Sequence, residues 1–278
     1  MTLLEEGLLK QPKWRFIDQT NVNPAFGALE SYATDDTLCR TVGKKVSPPT
    51  LRAWVHEKTV SLGIQDTKLP KLQEGIAFLK EAGYQVVLRN SGGLAVVLDQ
   101  EVLNLSLILP DVERGIAIDR GYETMFTLIK DMFADFDQVI EAREIERSYC
   151  PGSYDLSIEG RKFAGIAQRR MAKGVSVQIY LALNGNQDER STLIREFYKR
   201  SGKDLQEKYK FPDVDPSVMG TLSGSLEQEL TVNDIVRRLL NSLRYYAGEL
   251  YSSTLSAEEL DLLPQYFERI IQRNEKIK

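Results

Sequence analysis

Cys150 and Lys162 are the residues in this chain best placed to do chemistry. The nucleophilic form of cysteine is the thiolate, and a free thiol with an ordinary pKa of about 8.5 needs a nearby cation or helix N-terminus to reach that form at neutral pH. Cys150 stands in Ser148-Tyr149-Cys150-Pro151-Gly152-Ser153, a turn-forming stretch in which a side chain is not locked inside a regular element. Most free cysteines are small buried hydrophobes, and Cys39, on an apolar helical stretch, reads that way. The chain has a single histidine, His56, so mechanisms that need two or three histidines as ligands or bases are excluded. Lysine is then the convenient cation. Lys162 is followed by Phe163, Ala164, Gly165, Ile166 and Ala167, small or apolar neighbours that would leave its ammonium partly desolvated. Gly165 leaves room for a ligand to pass close to the backbone.

A second group is Arg89-Asn90-Ser91-Gly92-Gly93, a glycine-rich turn between two apolar runs. Without a Cβ, Gly92 and Gly93 let backbone amides approach a ligand closely. His56 ends a strand-like run, where it either orients a substrate or serves the structure. Asp35 and Asp36 read as the solvated face of a helix.

The elements that must position these residues follow from periodicity and punctuation. A helix is expected from Pro24 to Thr41, with Phe26, Leu29, Ala33 and Leu38 on one face. Strands are expected over 51–56, 59–63, 85–89, 94–98, 102–109 and 175–183, where β-branched and apolar residues dominate. Helices are expected over 70–82, ended by Gly83, and over 118–133 and 188–200. Residues 154–158 and 161–168 flank Glu159-Gly160 as a hairpin, which pairs Ser157 with Lys162. A straight continuation of that hairpin would leave Cys150 roughly 20 Å from Lys162 at 3.3 Å per residue, so the chain must fold back at Pro151-Gly152. Beyond residue 215 the pattern is helical, with capping boxes at Thr231 and Ser256, and Tyr245, Tyr246 and Tyr251 read as core.

Bulk properties narrow the class. At 278 residues the chain is one large domain or a domain with an appendage. A net charge of −4 argues against a general binder of nucleic-acid backbones. Two cysteines without CxxC spacing make zinc and a disulfide framework unexpected. The first residues do not read as a signal peptide, and no run approaches the roughly 18 apolar residues of a membrane span. A cytoplasmic protein without metal or membrane attachment is the expectation.

RNSGGLAV (89–96) and CPGSYDLSIEGRKFAGIAQRR (150–170), in this order and after LGIQDTKLP (62–70), resemble the catalytic core of the lipoate/biotin-protein ligase superfamily. The closest likeness is to its cysteine-dependent octanoyltransferase branch, over roughly residues 30–200. The resemblance implies an α+β fold, a mixed sheet flanked by helices. Residues 1–200 would be the catalytic domain and 201–278 a C-terminal helical extension packed on it. It implies that Arg89, Ser91, Gly92 and Gly93 wall an acyl pocket and that Gln65 is a polar residue of it. Leu94 stands where ligases tend to have a smaller residue, which narrows the space for a nucleotide. Cys150 would carry an acyl thioester, with Lys162 lowering the thiol pKa and handling protons. The donor would be the octanoylated H protein of the glycine cleavage system. The acceptors would be lysines on lipoyl domains of 2-oxoacid dehydrogenases, and no cofactor would be needed. An octanoyl-acyl carrier protein donor, an ATP-dependent lipoate-protein ligase and a non-catalytic binder of lipoyl domains are the alternatives.

Overall fold

Eight strands make one mixed sheet and three make a smaller one in the computed structural model, which describes residues 7–21, 27–111, 115–205 and 208–278. In chain order the elements are β1 (Gln11–Gln19), α1 (Ala28–Gly43), β2 (Thr50–Trp54), β3 (Thr59–Leu62), α2 (Leu72–Glu81) and β4 (Gln85–Leu88). There follow β5 (Val96–Leu98), β6 (Val102–Pro110), α3 (Ile118–Met132), β7 (Glu141–Ala142), β8 (Asp155–Ile158) and β9 (Arg161–Met171). The chain continues with β10 (Gly174–Ala182), α4 (Gln187–Arg200), α5 (Leu222–Leu226), α6 (Val232–Arg244), β11 (Ala247–Ser252) and α7 (Ala257–Asn274). The large sheet runs β11-β1-β2-β6-β10-β9-β8-β7 and the small one β4-β3-β5. β1 is parallel to both β11 and β2, and the remaining pairs of the large sheet are antiparallel. This is the expected α+β architecture.

The large sheet is buried on both faces, and its two faces differ in chemistry. Alternation along β6 sends Leu103, Leu105, Leu107 and Leu109 into an apolar core shared with Met125, Leu128 and Leu239. The opposite face of the same strand carries Asn104 and Ser106, and β10 adds Ser176, Gln178 and Tyr180 on that side. There α1 lies on the sheet, and Asp35 accepts hydrogen bonds from Ser106 (2.7 Å), Ser176 (3.1 Å) and Gln178 (2.6 Å). It also pairs with the buried guanidinium of Arg52 at 2.8 Å. Asp36 pairs with Arg169. The expectation of a solvated acidic face on α1 is therefore wrong, because that face meets the polar side of the sheet. Leu38 and Cys39 are fully buried, as expected. Pro24 and Phe26, placed on this helix by its periodicity, lie outside the described residues.

Three strands were not foreseen: β1, β11 and the two-residue β7 at the far edge of the large sheet. β1 carries Lys13, Arg15 and Asp18 among its apolar residues and shows no clean alternation. β11, in a stretch read as helical, pairs with β1 in parallel, Gln11 opposite Ala247 and Phe16 opposite Ser252. Tyr245 is 91% exposed rather than core, because it closes α6 at a turn before that edge strand. The capping boxes at Thr231 and Ser256 are formed. Glu259, the second half of the latter, also accepts a two-pronged ion pair from buried Arg15 (2.8 and 2.6 Å), which ties α7 to β1. No helix among the described residues is long and apolar enough to cross a membrane.

Candidate active site

The β8–β9 turn has the residues its geometry needs. Glu159 (φ 51°) and Gly160 (φ 76°) both adopt the left-handed conformation of a two-residue hairpin turn. The register is the expected one, Ser157 opposite Lys162, with an irregularity between Leu156 and Ser157. Lys162 points into the protein and is fully buried.

Its ammonium meets four oxygens: Asp155 Oδ1 at 2.8 Å, the Cys150 carbonyl at 2.8 Å, the Tyr149 carbonyl at 2.9 Å and Ser148 Oγ at 3.2 Å. The chain before β8 thus folds back over the strand, as the position of Pro151-Gly152 required. Asp155 staples the same loop from the other carboxylate oxygen, which accepts from the amides of Ile145 and Gly152, both at 3.2 Å. Burial pushes the Asp155 carboxyl up, and Lys162 opposes that shift. Asp155 was not singled out from sequence. The register contains the signal, since it is the diagonal neighbour of Lys162 across the hairpin, within reach of a long side chain.

Cys150 itself adopts a left-handed backbone (φ 49°), rare for a residue with a side chain. This conformation turns its sulfur toward the glycine-rich turn between β4 and β5. There Sγ accepts from the Leu94 amide at 3.0 Å and lies 3.8 Å from Nη2 of Arg89. Arg89 is buried and holds the turn together by donating to the carbonyls of Ser61 (2.7 Å), Gly92 (2.8 and 2.9 Å) and Leu94 (2.7 Å). Gly93 has φ +91°, and a Cβ there would sit 2.6 Å from the guanidinium and 2.8 Å from the sulfur. Only glycine allows that packing.

Behind the turn lies a support that sequence reading missed. Gly63 packs so tightly that a Cβ would fall 1.8 Å from the Gly93 carbonyl oxygen. Asp66, fully buried, accepts from the Gly63 amide (2.8 Å) and from the Tyr198 hydroxyl (3.0 Å), while that hydroxyl accepts from the Ala95 amide (3.1 Å). Burial pushes the Asp66 carboxyl up to about 7. Its bond to the Gly63 amide, three residues back, is a local cap, whereas its other partner, Tyr198, comes from α4, far along the chain.

Cys150, Arg89, Ser91, Gly92, Gly93 and Gly165 all line one cavity of about 340 Å³. That volume is at the lower end of the roughly 300–1,000 Å³ of small-ligand sites. Its apolar wall includes Trp54, Val96, Leu98 and Ile179, and Tyr122 stacks on Tyr154 at 4.8 Å among the lining residues. Lys162 does not line the cavity but sits behind Cys150. His56 and Gln65 are not among the lining residues either. His56 is buried beside Trp54 (5.1 Å between ring centres), its Nε2 has no hydrogen-bond partner among the described residues, and burial, then Arg52, lower its pKa to about 3. Gln65 is exposed. Among the described residues no group of histidine, cysteine and carboxylate side chains is arranged to hold a metal.

Residues 27–244 match the family model for the lipoyl protein ligase A/B catalytic domain. A lipoyl-[GcvH]:protein N-lipoyltransferase of Listeria monocytogenes is 68% identical over 274 residues, 99% of each chain. An octanoyl-[GcvH]:protein N-octanoyltransferase of Geobacillus kaustophilus is 52% identical over 268 residues, 96% of this chain and 95% of that one. Two solved structures share the fold. A lipoate-protein ligase A bound with ATP aligns at TM-score 0.71 and 15% identity over 92% of this chain and 95% of that one. A bipartite lipoate protein ligase from Thermoplasma acidophilum aligns at TM-score 0.71 and 16% identity over 96% and 98%.

Proposed function

The chain belongs to the lipoyl protein ligase A/B catalytic domain family, and from that premise we propose that it moves an octanoyl group between protein lysines through a thioester on Cys150. The donor is the octanoylated H protein of the glycine cleavage system, the donor named for relatives that match nearly the whole chain. The acceptor is a lysine of a lipoyl domain in a 2-oxoacid dehydrogenase complex.

The observation that carries the covalent route is the placement of the Cys150 sulfur on the cavity wall, held by the Leu94 amide across Gly93. In the first half-reaction Sγ attacks the octanoyl amide carbonyl. The S–C bond forms, the bond to the donor lysine nitrogen breaks, and the proton given up by the thiol is balanced by one taken up on the leaving amine. The acceptor amine then attacks the thioester, and the proton moves the opposite way. One lysine amide replaces another, so the sum is near neutral and needs no ATP. Lys162 and Asp155 hold the main chain of Cys150 in its left-handed conformation, and the family resemblance adds a part for Lys162 in proton transfer. Gly165 keeps the wall open for the acyl chain, whose six or seven methylenes contribute about 5 kcal/mol if fully buried.

The Listeria relative favours a second reading, in which the transferred acyl group is lipoyl. Lipoyl and octanoyl chains share eight carbons, so one cavity serves the alternatives. The test incubates the protein with octanoyl- or lipoyl-H protein and an apo lipoyl domain without ATP, comparing wild type with Cys150→Ser. Acyl mass on the lipoyl domain only with wild type is the expected result, and the faster donor decides the acyl group. Transfer that requires ATP and survives Cys150→Ser would overturn the covalent mechanism.

A further inference from the structure

Resting on the reading of Cys150 as the acylated residue, we propose that Asp119, Tyr122 and Tyr154 form the entry by which the acceptor lysine reaches the thioester, with the Asp119 carboxylate meeting its ammonium.

Three observations carry this assignment. The first is the direction of the cavity. Its inner wall is closed, with Trp54, Val96, Leu98, Asn104 and Tyr180 all buried. Cys150 is partly buried, and the wall around the opening includes exposed Ser153 and Asp119 and partly exposed Tyr122 and Tyr154. An acyl chain on the sulfur fills the closed end, so the amine that takes it must come through the open one.

The second is that the opening suits a lysine side chain. The rings of Tyr122 and Tyr154 lie 4.8 Å apart and 11° from parallel. Lysine lays its methylene stem along such apolar surface and keeps its charge in water, and aromatic faces attract ammonium groups. Of the two carboxylates on the cavity wall, Asp155 is spent on Lys162. Asp119 pairs with no cation among the described residues. Both phenols are pushed up, by partial burial first, and Asp119 adds to the shift of each. Arg170, a cation that Tyr122 also feels, is taken up by the Ile116 carbonyl (2.6 Å), Gln168 (2.8 and 3.2 Å) and Asp111 (3.7 Å).

The third is that this side of the opening is tied to the sheet. Gln168 of β9 donates to the Ile118 carbonyl at 2.6 Å, and a Cβ at Gly121 would lie 2.9 Å from the same side-chain amide. Gly121 therefore lets the first turn of α3 sit on β9, which fixes where Asp119 and Tyr122 stand.

The assignment separates the two lysines of the reaction. The donor lysine arrives as a neutral amide and the acceptor lysine as an ammonium. Asp119 serves the acceptor, and it serves binding rather than attack, because a carboxylate favours the charged amine and only the neutral amine attacks.

A double-mutant cycle on binding tests this. Calorimetry gives Kd for wild type and Asp119→Asn with an apo lipoyl domain that carries either its acceptor lysine or glutamine in that place. Loss of the carboxylate should weaken the lysine domain about two- to fivefold, the size of an exposed ion pair, and leave the glutamine domain as it was. Added salt should narrow the difference. Equal weakening of both domains, or of neither, overturns the assignment. In turnover, Asp119→Asn should raise KM for the acceptor without lowering kcat, with kcat/KM for the octanoyl donor as in wild type. A lowered kcat with both KM values unmoved also overturns it. A coupled cycle in a protein that transfers no acyl group defeats the proposed function alone. Acyl transfer with an uncoupled cycle defeats this assignment alone.

Discussion

Asp155→Asn tests whether the buried ion pair is what holds the cysteine loop. Asparagine keeps the volume and one acceptor oxygen, so the Ile145 and Gly152 amides retain a partner. The Lys162 ammonium, fully buried, loses the only carboxylate it pairs with among the described residues. Breaking one side of a buried pair costs about 3–5 kcal/mol, because the remaining charge is left uncompensated. For a domain near this size, at about 2–4 °C per kcal/mol, the melting temperature should fall by roughly 6–20 °C. Denaturant unfolding of wild type, Asp155→Asn, Lys162→Met and the double variant closes the cycle. The double variant carries neither charge and should lose much less than the two single losses together. Single losses that add to within about 0.5 kcal/mol would refute the pair as an energetic unit. A loss below about 1 kcal/mol for Asp155→Asn would refute the claim that Lys162 depends on it.

Asp66 makes stability depend on pH. Its folded pKa is raised from 3.8 to about 7, so the stability tied to its protonated form is fully present below 3.8 and lost as pH rises through about 7. Asp66→Asn should abolish a decline of about 4 kcal/mol over that window, read by denaturant unfolding at a series of pH values. Glu259 works in the opposite direction. Held down to about 2 from 4.5, chiefly by Arg15 against the cost of burial, it contributes above 4.5 and is lost as pH falls through about 2, and Glu259→Gln should flatten that acid limb. Gly63→Ala should displace the glycine-rich turn from behind, since its Cβ would overlap the Gly93 carbonyl. A shift of about 1 Å lowers acyl transfer by about 100-fold, and an unchanged rate would show that the turn tolerates the push. Gly165→Val puts a side chain against Tyr180 (2.9 Å at Cβ) on the cavity wall. It should lower transfer of octanoyl about 10–200-fold while sparing shorter acyl donors, measured as kcat/KM for a chain-length series.

The parts of the site legible in sequence are those set by local chemistry. Glu159-Gly160 declares a hairpin because the turn needs two left-handed residues, and that turn alone fixed Lys162 opposite Ser157. Pro151-Gly152 marked where the chain had to reverse. Ser91-Gly92-Gly93 announced a close backbone approach, though not that the approaching atom is the cysteine's own sulfur. What stayed hidden depends on distant partners. Asp66 acquires its role only when Tyr198 arrives from α4, and Asp35 looks solvated until β6 and β10 surround it. β1 fails the alternation test because Arg15 is buried against Glu259, more than two hundred residues later. β11 is short, polar and at an edge, so it buries too little to leave a pattern.

The parallel pairing of β1 with β11 sets an order of events during synthesis. β1 is made before every other strand of the large sheet, yet one of its two partner strands ends at Ser252 and the carboxylate that balances Arg15 comes later still, at Glu259. At roughly 5–20 residues per second, the interval between them is on the order of 10–50 s. Through that time the large sheet has an open edge, and such an edge invites pairing with other chains. A ribosome that stops anywhere before Ala247 therefore releases a sheet still waiting for its last strand, its Arg15 guanidinium without the Glu259 carboxylate that balances it in the finished fold.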